Sequence, residues 1–515
     1  MKIRGLLRII FGRTAFVVLF LLIQIGILLA GFNWLHEYMV YMFGGFTVLS
    51  ALVLIYVISN DESSTIKLAW VVPILVVPVF GTLFYLFVKL QAGTVLINRR
   101  LHDLEEEIEP YLEQDSEVLL ELDNLSPSQG NLARYMNRFG SFPIYKNTNV
   151  KYLPLGEDMF EEMKSRLRVA KHFIFMEYFI VEHGLMWQSI LDILEEKAKE
   201  GVEVRFMYDG MCCLILLPFS YPKELNAKGI KCKMFSPVRP ALSSYQNNRD
   251  HRKICVIDGH TAFTGGVNLA DEYINRKTRY GHWKDTAIML QGDAVDSFTM
   301  MFLQMWRVNE RDSEDYSRYL RPKDFKYPAD LDMDGFVMPY GDSPLDKENI
   351  GEQVYLDILG NAKKYVHIMT PYLILDDELT SALKYSAKRG VETIIIMPHI
   401  PDKIYAYLLA RSYYTELINA GVKIFEYTPG FVHAKMFTSD DEKAVVGTIN
   451  LDFRSLYLHF ECAAYLYMNK AVHDVEQDFQ DTLCKCQEIT IESCKKYPFY
   501  KQLAGRALRL FAPLM

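Results

Sequence analysis

The string His-x-Lys-x4-Asp occurs twice in this chain, and its repetition constrains the fold more than any other feature of the sequence. The first copy reads His251-Arg252-Lys253-Ile254-Cys255-Val256-Ile257-Asp258 and is followed by Gly265, Gly266 and Asn268. The second reads His433-Ala434-Lys435-Met436-Phe437-Thr438-Ser439-Asp440 and is followed by Gly447, Thr448 and Asn450. In both, the Asn lies seventeen residues after the His. One His on a half-buried strand is ordinarily a packed polar residue. Two copies that agree over this distance point to duplication.

The segments upstream agree as well. A strand (173–180), a helix (187–199) and a strand (202–208) precede His251; a strand (366–375), a helix (378–388) and a strand (391–397) precede His433. The phrase Ala-Lys-Glu-Gly-Val-Glu-Val at 198–204 is echoed by Ala-Lys-Arg-Gly-Val-Glu-Thr at 387–393, with a Gly ending each helix. Alternating strands and helices give α/β layers. The expected fold class is therefore α/β, with two similar domains, 131–330 and 331–515, packed around one cleft that holds the site.

In a strand, alternate residues share a face, so each His and Lys would project together while the residue between them points into the packing. Asp258 and Asp440 fall at turns (Asp258-Gly259, Asp440-Asp441), where a carboxylate braces the loop rather than touching substrate. Two histidines suit phosphodiester chemistry. One, neutral, attacks phosphorus while the other, protonated, supplies the leaving oxygen with its proton, and the roles then reverse. Lys253, Lys435, Asn268 and Asn450 would donate to the non-bridging oxygens. Thr448, the hydroxyl that the first copy lacks, is a further phosphate contact. Asp285 and Glu461 follow their motifs at comparable positions and are candidates to orient the histidines, each grouped with the histidine of its own repeat. This chemistry requires no metal and no cofactor.

The first ninety residues differ in kind. Three uncharged apolar stretches, 14–32, 38–59 and 68–88, are each about long enough to cross a hydrocarbon core of roughly 30 Å. The expectation is a membrane region over 1–92 with two to three transmembrane helices, then a surface helix and linker over 93–130. Lys2, Arg4, Arg8 and Arg13 favour a cytoplasmic N-terminus, whereas Lys89, Arg99 and Arg100 pull the opposite way, and Pro73 and Pro78 make the third stretch a candidate re-entrant segment. The formal net charge of -8 and the lack of a long Lys/Arg block argue against nucleic acid as partner. The eight cysteines contain no CxxC pair and no zinc-like spacing. Cys213–Tyr221 and Leu503–Met515 read either as lipid-interface segments or as a core strand and a docking helix.

From about residue 130 onward the chain resembles the phospholipase D superfamily. Asn248-Arg249-Asp250-His251-Arg252-Lys253, Thr370-Pro371-Tyr372 and Pro429-Gly430-Phe431-Val432-His433 look like the bacterial cardiolipin synthases. The resemblance implies that a phosphatidyl group passes from one phosphatidylglycerol to another, yielding cardiolipin and glycerol. It also implies His251 as nucleophile, His433 as general acid/base, and a multi-pass location in the bacterial cell membrane. A hydrolase releasing phosphatidic acid, a nuclease of the same superfamily and a non-catalytic scaffold stay open as alternatives.

Overall fold

The computed structural model describes residues 39–89, 92–236, 248–310, 312–320, 331–346 and 348–514, with four helical positions, Leu22, Ile25, Gly26 and Leu29, ahead of them. Most of the first apolar stretch and the four basic residues before it lie outside the described residues.

Two sheets carry the catalytic part. The first is built from β1 (Thr148–Leu153), β2 (Phe173–Tyr178), β3 (Glu203–Asp209), β4 (Lys231–Phe235), β6 (Ile254–Ile257), β7 (Thr261–Gly265) and β9 (Ala287–Gly292) in the order β1-β9-β7-β6-β2-β3-β4. Between these in sequence come two short strands, β5 (Arg249–Asp250) and β8 (His282–Lys284), that leave the sheet. The second sheet uses β10 (Phe336–Asp342), β11 (Tyr365–Met369), β12 (Glu392–Pro398), β13 (Lys423–Tyr427), β15 (Met436–Ser439), β16 (Lys443–Gly447), β17 (His459–Tyr467) and β18 (Cys486–Ile489). Its order, β10-β17-β16-β15-β11-β12-β13-β18, repeats the first strand for strand and adds β18 at the edge. β14 (Gly430–Val432) is the counterpart of β5. The duplication read from the motifs is thus a duplication of whole α/β domains.

Both faces of each sheet are covered, which is why β2 and β11 read as nearly continuous apolar runs rather than alternating ones. On the outer face of the first sheet Met159, Phe160, Trp187, Ile190 and Leu194 from two helices pack against Ile174, Met176 and Phe206. The inner faces of the two sheets contribute Phe175, Val256 and Leu290 from one side and Met369, Met436 and Ala464 from the other to a single core. The helices Val295–Arg307 and Ala471–Leu483 complete it. This shared core fixes the two domains face to face.

Residues 93–130 are not a linker. The helix Ala92–Ile108 buries Leu101, Leu104 and Ile108 in the shared core, and the helices Ser116–Leu125 and Pro127–Gly140 place Leu122, Leu132 and Met136 in the outer core of the second domain. The acidic run Glu105–Glu107 occupies the other face of an i, i+3, i+7 apolar stripe.

The N-terminal expectation needs a larger correction. Among the described residues no helix is long and apolar enough to cross a membrane, so transmembrane helices and a multi-pass arrangement are not supported. The stretch 68–88 is two helices, Ser64–Val76 and Pro78–Lys89, of 13 and 12 residues. Each is well short of the roughly 20 residues a span requires. The break has a local cause. Pro78 has no N–H to extend a helix but is suited to start one, and a Cβ on Gly81 would lie 2.5 Å from the Pro73 carbonyl oxygen, so the two helices close into a tight hairpin there. Val53, Val57, Trp70, Ile74 and Tyr85 form its small core with the helix Met39–Ser59.

At the other end, the helix Phe499–Arg509 docks on the helix Ile404–Asn419 through Gly505, while Phe499, Tyr500 and Leu503 face outward. Residues 213–217 form turns rather than a core strand, with Cys213 and Leu217 buried and Ile215 exposed.

Candidate active site

Each motif histidine stands at the end of a short strand that crosses to the other domain. β5 runs parallel to β17, pairing Arg249 with His459 and Asp250 with Phe460, and the His251 N–H then donates to the Phe460 carbonyl at 2.9 Å. β14 runs parallel to β8, pairing Val432 with Lys284, and the His433 N–H donates to the Lys284 carbonyl at 2.7 Å. The residue after Phe460 is Glu461, and the residue after Lys284 is Asp285. Register alone therefore sets each histidine beside a carboxylate of the opposite domain.

The side chains complete the pairing. His251 Nδ1 lies 2.8 Å from both Glu461 carboxylate oxygens, and His433 Nδ1 lies 2.6 Å from Asp285 Oδ2. Asp285 and Glu461 do face histidines, but crosswise, not within their own repeats. The Gly266 position is dictated by this contact, since a Cβ there would sit 2.0 Å from Asp285 Oδ1 and 3.0 Å from the His433 carbonyl oxygen.

Lys253 and Lys435 are buried beside their histidines, Lys435 Nζ being 2.9 Å from His433 Nδ1 and Lys253 standing over the Phe179 ring at 5.3 Å. Arg252, between His251 and Lys253, points into the packing as strand alternation requires. There it donates to Glu177 Oε1 at 2.8 Å.

Asp258 and Asp440 take no part in the cleft. Asp258 accepts from the N–H groups of Lys171, His172 and Phe173 at 2.7–2.9 Å, and Asp440 accepts from those of Lys363, Lys364 and Tyr365 at 2.7–3.0 Å. Each clamps the start of the neighbouring strand from a left-handed position, φ 52° and 60°.

The expected phosphate contacts divide. Asn268 is occupied: it accepts from the Ile180 N–H at 3.0 Å and donates to the Tyr273 hydroxyl at 2.9 Å. Asn450 has only a long contact with Asp452, 3.5 Å, and its Oδ1 is buried with no partner. The Thr448 hydroxyl is occupied. It donates to Glu461 Oε2 and accepts from the Cys462 N–H at 3.0 Å, so it locks the carboxylate that holds His251.

Burial and the mutual repulsion of four basic groups govern the electrostatics. Burial, then Lys253, His459, Lys435 and His433, push the His251 imidazole well below its ordinary range. Burial and Lys435 take His433 down to about 4 against the opposing pull of Asp285. Burial lowers Lys253 to about 8 and Lys435 to about 7, and it raises Glu461 to about 8 although Lys253 opposes. A cleft in which cations are this costly to charge favours an anionic ligand.

The sequence reading missed Phe179, whose ring meets that of His251 edge-on at 4.6 Å, and His459, whose ring lies 5.4 Å from His251. It missed Tyr273 and Trp283 against His433 as well. The signal for His459 was present, in the fragment Leu458-His459-Phe460-Glu461, where an alternating strand sets the histidine on the same face as the carboxylate two residues on. Donor atoms of His251, His459 and Glu461 lie within 4.8 Å of one another and would be the residues to hold a metal ion in this cleft, but the donor set does not require one: Glu461 is already engaged by Thr448 and His251 Nδ1.

Residues 163–306 and 355–483 match the family model described as cardiolipin synthase, phospholipase-D-like domain, and residues 48–89 match the model of the phospholipase D-nuclease N-terminal region. A cardiolipin synthase of Halalkalibacterium halodurans is 34% identical over 97% of this chain and 99% of its own length. An uncharacterized protein of Streptococcus mutans is 50% identical over 90% of this chain and 99% of its own. Among solved structures, the phosphatidylserine synthase of Haemophilus influenzae superposes with a TM-score of 0.55 at 15% identity, covering 75% of this chain and 100% of that one, which speaks to the fold.

Proposed function

Because this chain belongs to the cardiolipin synthases of the phospholipase D superfamily, and so to the phosphatidyltransferases, we propose that it makes cardiolipin by head-group exchange between two phosphatidylglycerols through a phosphohistidine. The observation that carries the reading is the crossed pairing of His251 with Glu461 and His433 with Asp285. A ring whose Nδ1–H donates to a carboxylate keeps its Nε2 lone pair for chemistry.

The steps balance in atoms and protons. His251 Nε2 attacks the donor phosphorus, the phosphorus–nitrogen bond forms, and the bond to the glycerol oxygen breaks as His433 delivers its proton to that oxygen. Glycerol leaves. The primary hydroxyl of a second phosphatidylglycerol then loses its proton to His433 and attacks phosphorus, which breaks the phosphorus–nitrogen bond and restores both histidines. Lys253, Lys435 and Asn450 face the non-bridging oxygens, where charge accumulates. His251 is the better-held ring, because Thr448 locks Glu461, and this supports His251 as the nucleophile. Burial and Lys435 hold His433 at about 4, and an arriving phosphodiester anion raises it, so the leaving group's proton is taken up as the substrate binds. Since both lipids reside in a bilayer, the enzyme acts at a membrane surface.

Purified protein given phosphatidylglycerol alone in mixed micelles should form cardiolipin and glycerol in equal amounts. Phosphatidic acid with no cardiolipin would make the protein a hydrolase and end this reading.

A further inference from the structure

The C-terminal segment reads from its sequence either as a lipid-interface element or as a docking helix, and the structure gives each reading one face of the helix Phe499–Arg509. The inner face holds the helix to the second domain. Gly505 lets the backbone close on the Leu408 carbonyl, where a Cβ would collide. Arg509 donates from Nε to Ser412 Oγ at 2.9 Å, and its guanidinium stacks on the Tyr413 ring at 3.7 Å. The outer face carries Phe499, Tyr500, Leu503 and Leu510, followed by Phe511, all of them exposed. At 3.6 residues per turn the first four fall within about a third of the helix circumference, so they form one apolar face. Phe499 is 76% exposed and Tyr500 69%, so these rings belong to no core of this chain. A contiguous apolar surface of this kind marks a contact with a partner or a membrane.

The charge around this face says which. Lys495 and Lys496, at the end of the helix Ile491–Lys496, are exposed just ahead of it, and Arg506 is exposed on its flank. Residues 491–515 hold five basic side chains against one acidic, Glu492, in a chain whose formal net charge is -8. A second copy of the chain would bring the same cations to the contact and be repelled. An anionic lipid surface complements both parts: the rings and Leu503 enter the acyl region while Lys and Arg stay among the head groups. The segment Ala512–Leu514 then lies against the helix Ser64–Val76, whose hairpin exposes Leu68, Leu75 and Phe80, so further apolar surface adjoins on that side. We infer that the outer face of Phe499–Arg509, with Leu510 and Phe511, inserts into a bilayer leaflet of anionic phospholipid. This rests on the reading of the protein as an enzyme of lipid substrates, and it names the surface by which the second domain rests on the membrane that supplies them.

The test reads this helix alone, within the full chain. Leu503→Trp is mixed with vesicles of phosphatidylglycerol brominated in the acyl chains, and its emission is taken as the difference from wild type, which cancels the five native tryptophans. The added emission should shift to the blue and be largely quenched, because bromine in the acyl region quenches an indole that enters it. Vesicles of brominated phosphatidylcholine should quench it much less, and adding Lys495→Glu and Lys496→Glu should restore much of the emission on phosphatidylglycerol. Emission that stays red and unquenched on phosphatidylglycerol overturns the inference, and so does quenching of equal strength on phosphatidylcholine. A blue shift that grows with protein concentration in the absence of vesicles gives the face to a second copy and overturns it too. Cardiolipin formation in mixed micelles, measured alongside, should be equal for wild type and Leu503→Trp and so certifies the fold of the variant; Phe499→Trp carries the test if that variant misfolds. Wild-type enzyme that yields phosphatidic acid and no cardiolipin in the micelles overturns the synthase reading, whereas a failure of quenching beside intact synthesis overturns the insertion surface only.

Discussion

Glu461 and Thr448 show how little a residue's position in a motif says about its partner. Thr448 puts a hydroxyl where the first copy has Gly266, and it serves the histidine of the first copy by fixing Glu461. Removing that hydroxyl with Thr448→Val should therefore lower kcat with little change in KM, because its hydrogen bonds go to Glu461 and the Cys462 N–H. Glu461→Gln keeps the shape but loses the carboxylate that orients His251, and changes of this kind typically cost about 10–100-fold. Rapid-quench kinetics separate the two half-reactions: both variants should slow formation of the covalent intermediate. A raised KM with unchanged kcat in Thr448→Val would return Thr448 to the role of phosphate ligand.

At the scale of elements, the aspartates of the motif are structural clamps. Each gathers three backbone N–H groups at the head of a central strand, and all three charge-assisted hydrogen bonds are lost if the carboxylate goes. Asp258→Ala and Asp440→Ala should each destabilise the fold by about 1–3 kcal/mol, read as a shift in urea midpoint, while the folded fraction keeps its kcat. Loss of kcat at wild-type stability would move these residues back into the chemistry. Their bracing role was legible in advance, since Asp258-Gly259 and Asp440-Asp441 mark turns, as was the doubled domain, which follows from a repeat of strand, helix and motif. The crossed carboxylates were not. They depend on β5 and β14, strands of two and three residues whose pairing is entirely between domains, and no periodicity survives at that length. The stretch 68–88 misled for another reason: hydropathy averages over Pro73 and Pro78, while the backbone breaks between them.

Taken as one molecule, the two domains enclose a cleft in which buried lysines are costly to charge, and that cost depends on pH. Lys253 and Lys435 are lowered to about 8 and about 7 by burial, whereas in the unfolded chain they titrate near 10.4. Below that value the unfolded chain binds a proton that the native cleft resists, so stability falls as pH drops from about 10 and levels off once the native lysines charge. Glu461 works in the opposite sense: its raised value costs stability as pH climbs towards about 8 and adds no further slope above that. Six thiols that burial pushes up, those of Cys212, Cys213, Cys232, Cys255, Cys462 and Cys486, titrate in the unfolded chain over the range from pH 8 to 10 with the sign of Glu461, so the lysine contribution, about 1.4 kcal/mol per pH unit for each, is read there as a difference between variants. Lys435→Met should make the slope of stability against pH across this window less positive than that of the wild type by about 1.4 kcal/mol per pH unit. Inorganic phosphate, as an anion that pairs with the buried lysines, should raise the melting temperature of the wild type and take up protons on binding, seen as a calorimetric enthalpy that varies with the ionisation heat of the buffer. Parallel stability curves for wild type and Lys435→Met, together with phosphate binding that moves no protons, would mean the lysines are already charged before the anion binds. The proton for the leaving glycerol would then have to be resident before the substrate arrives.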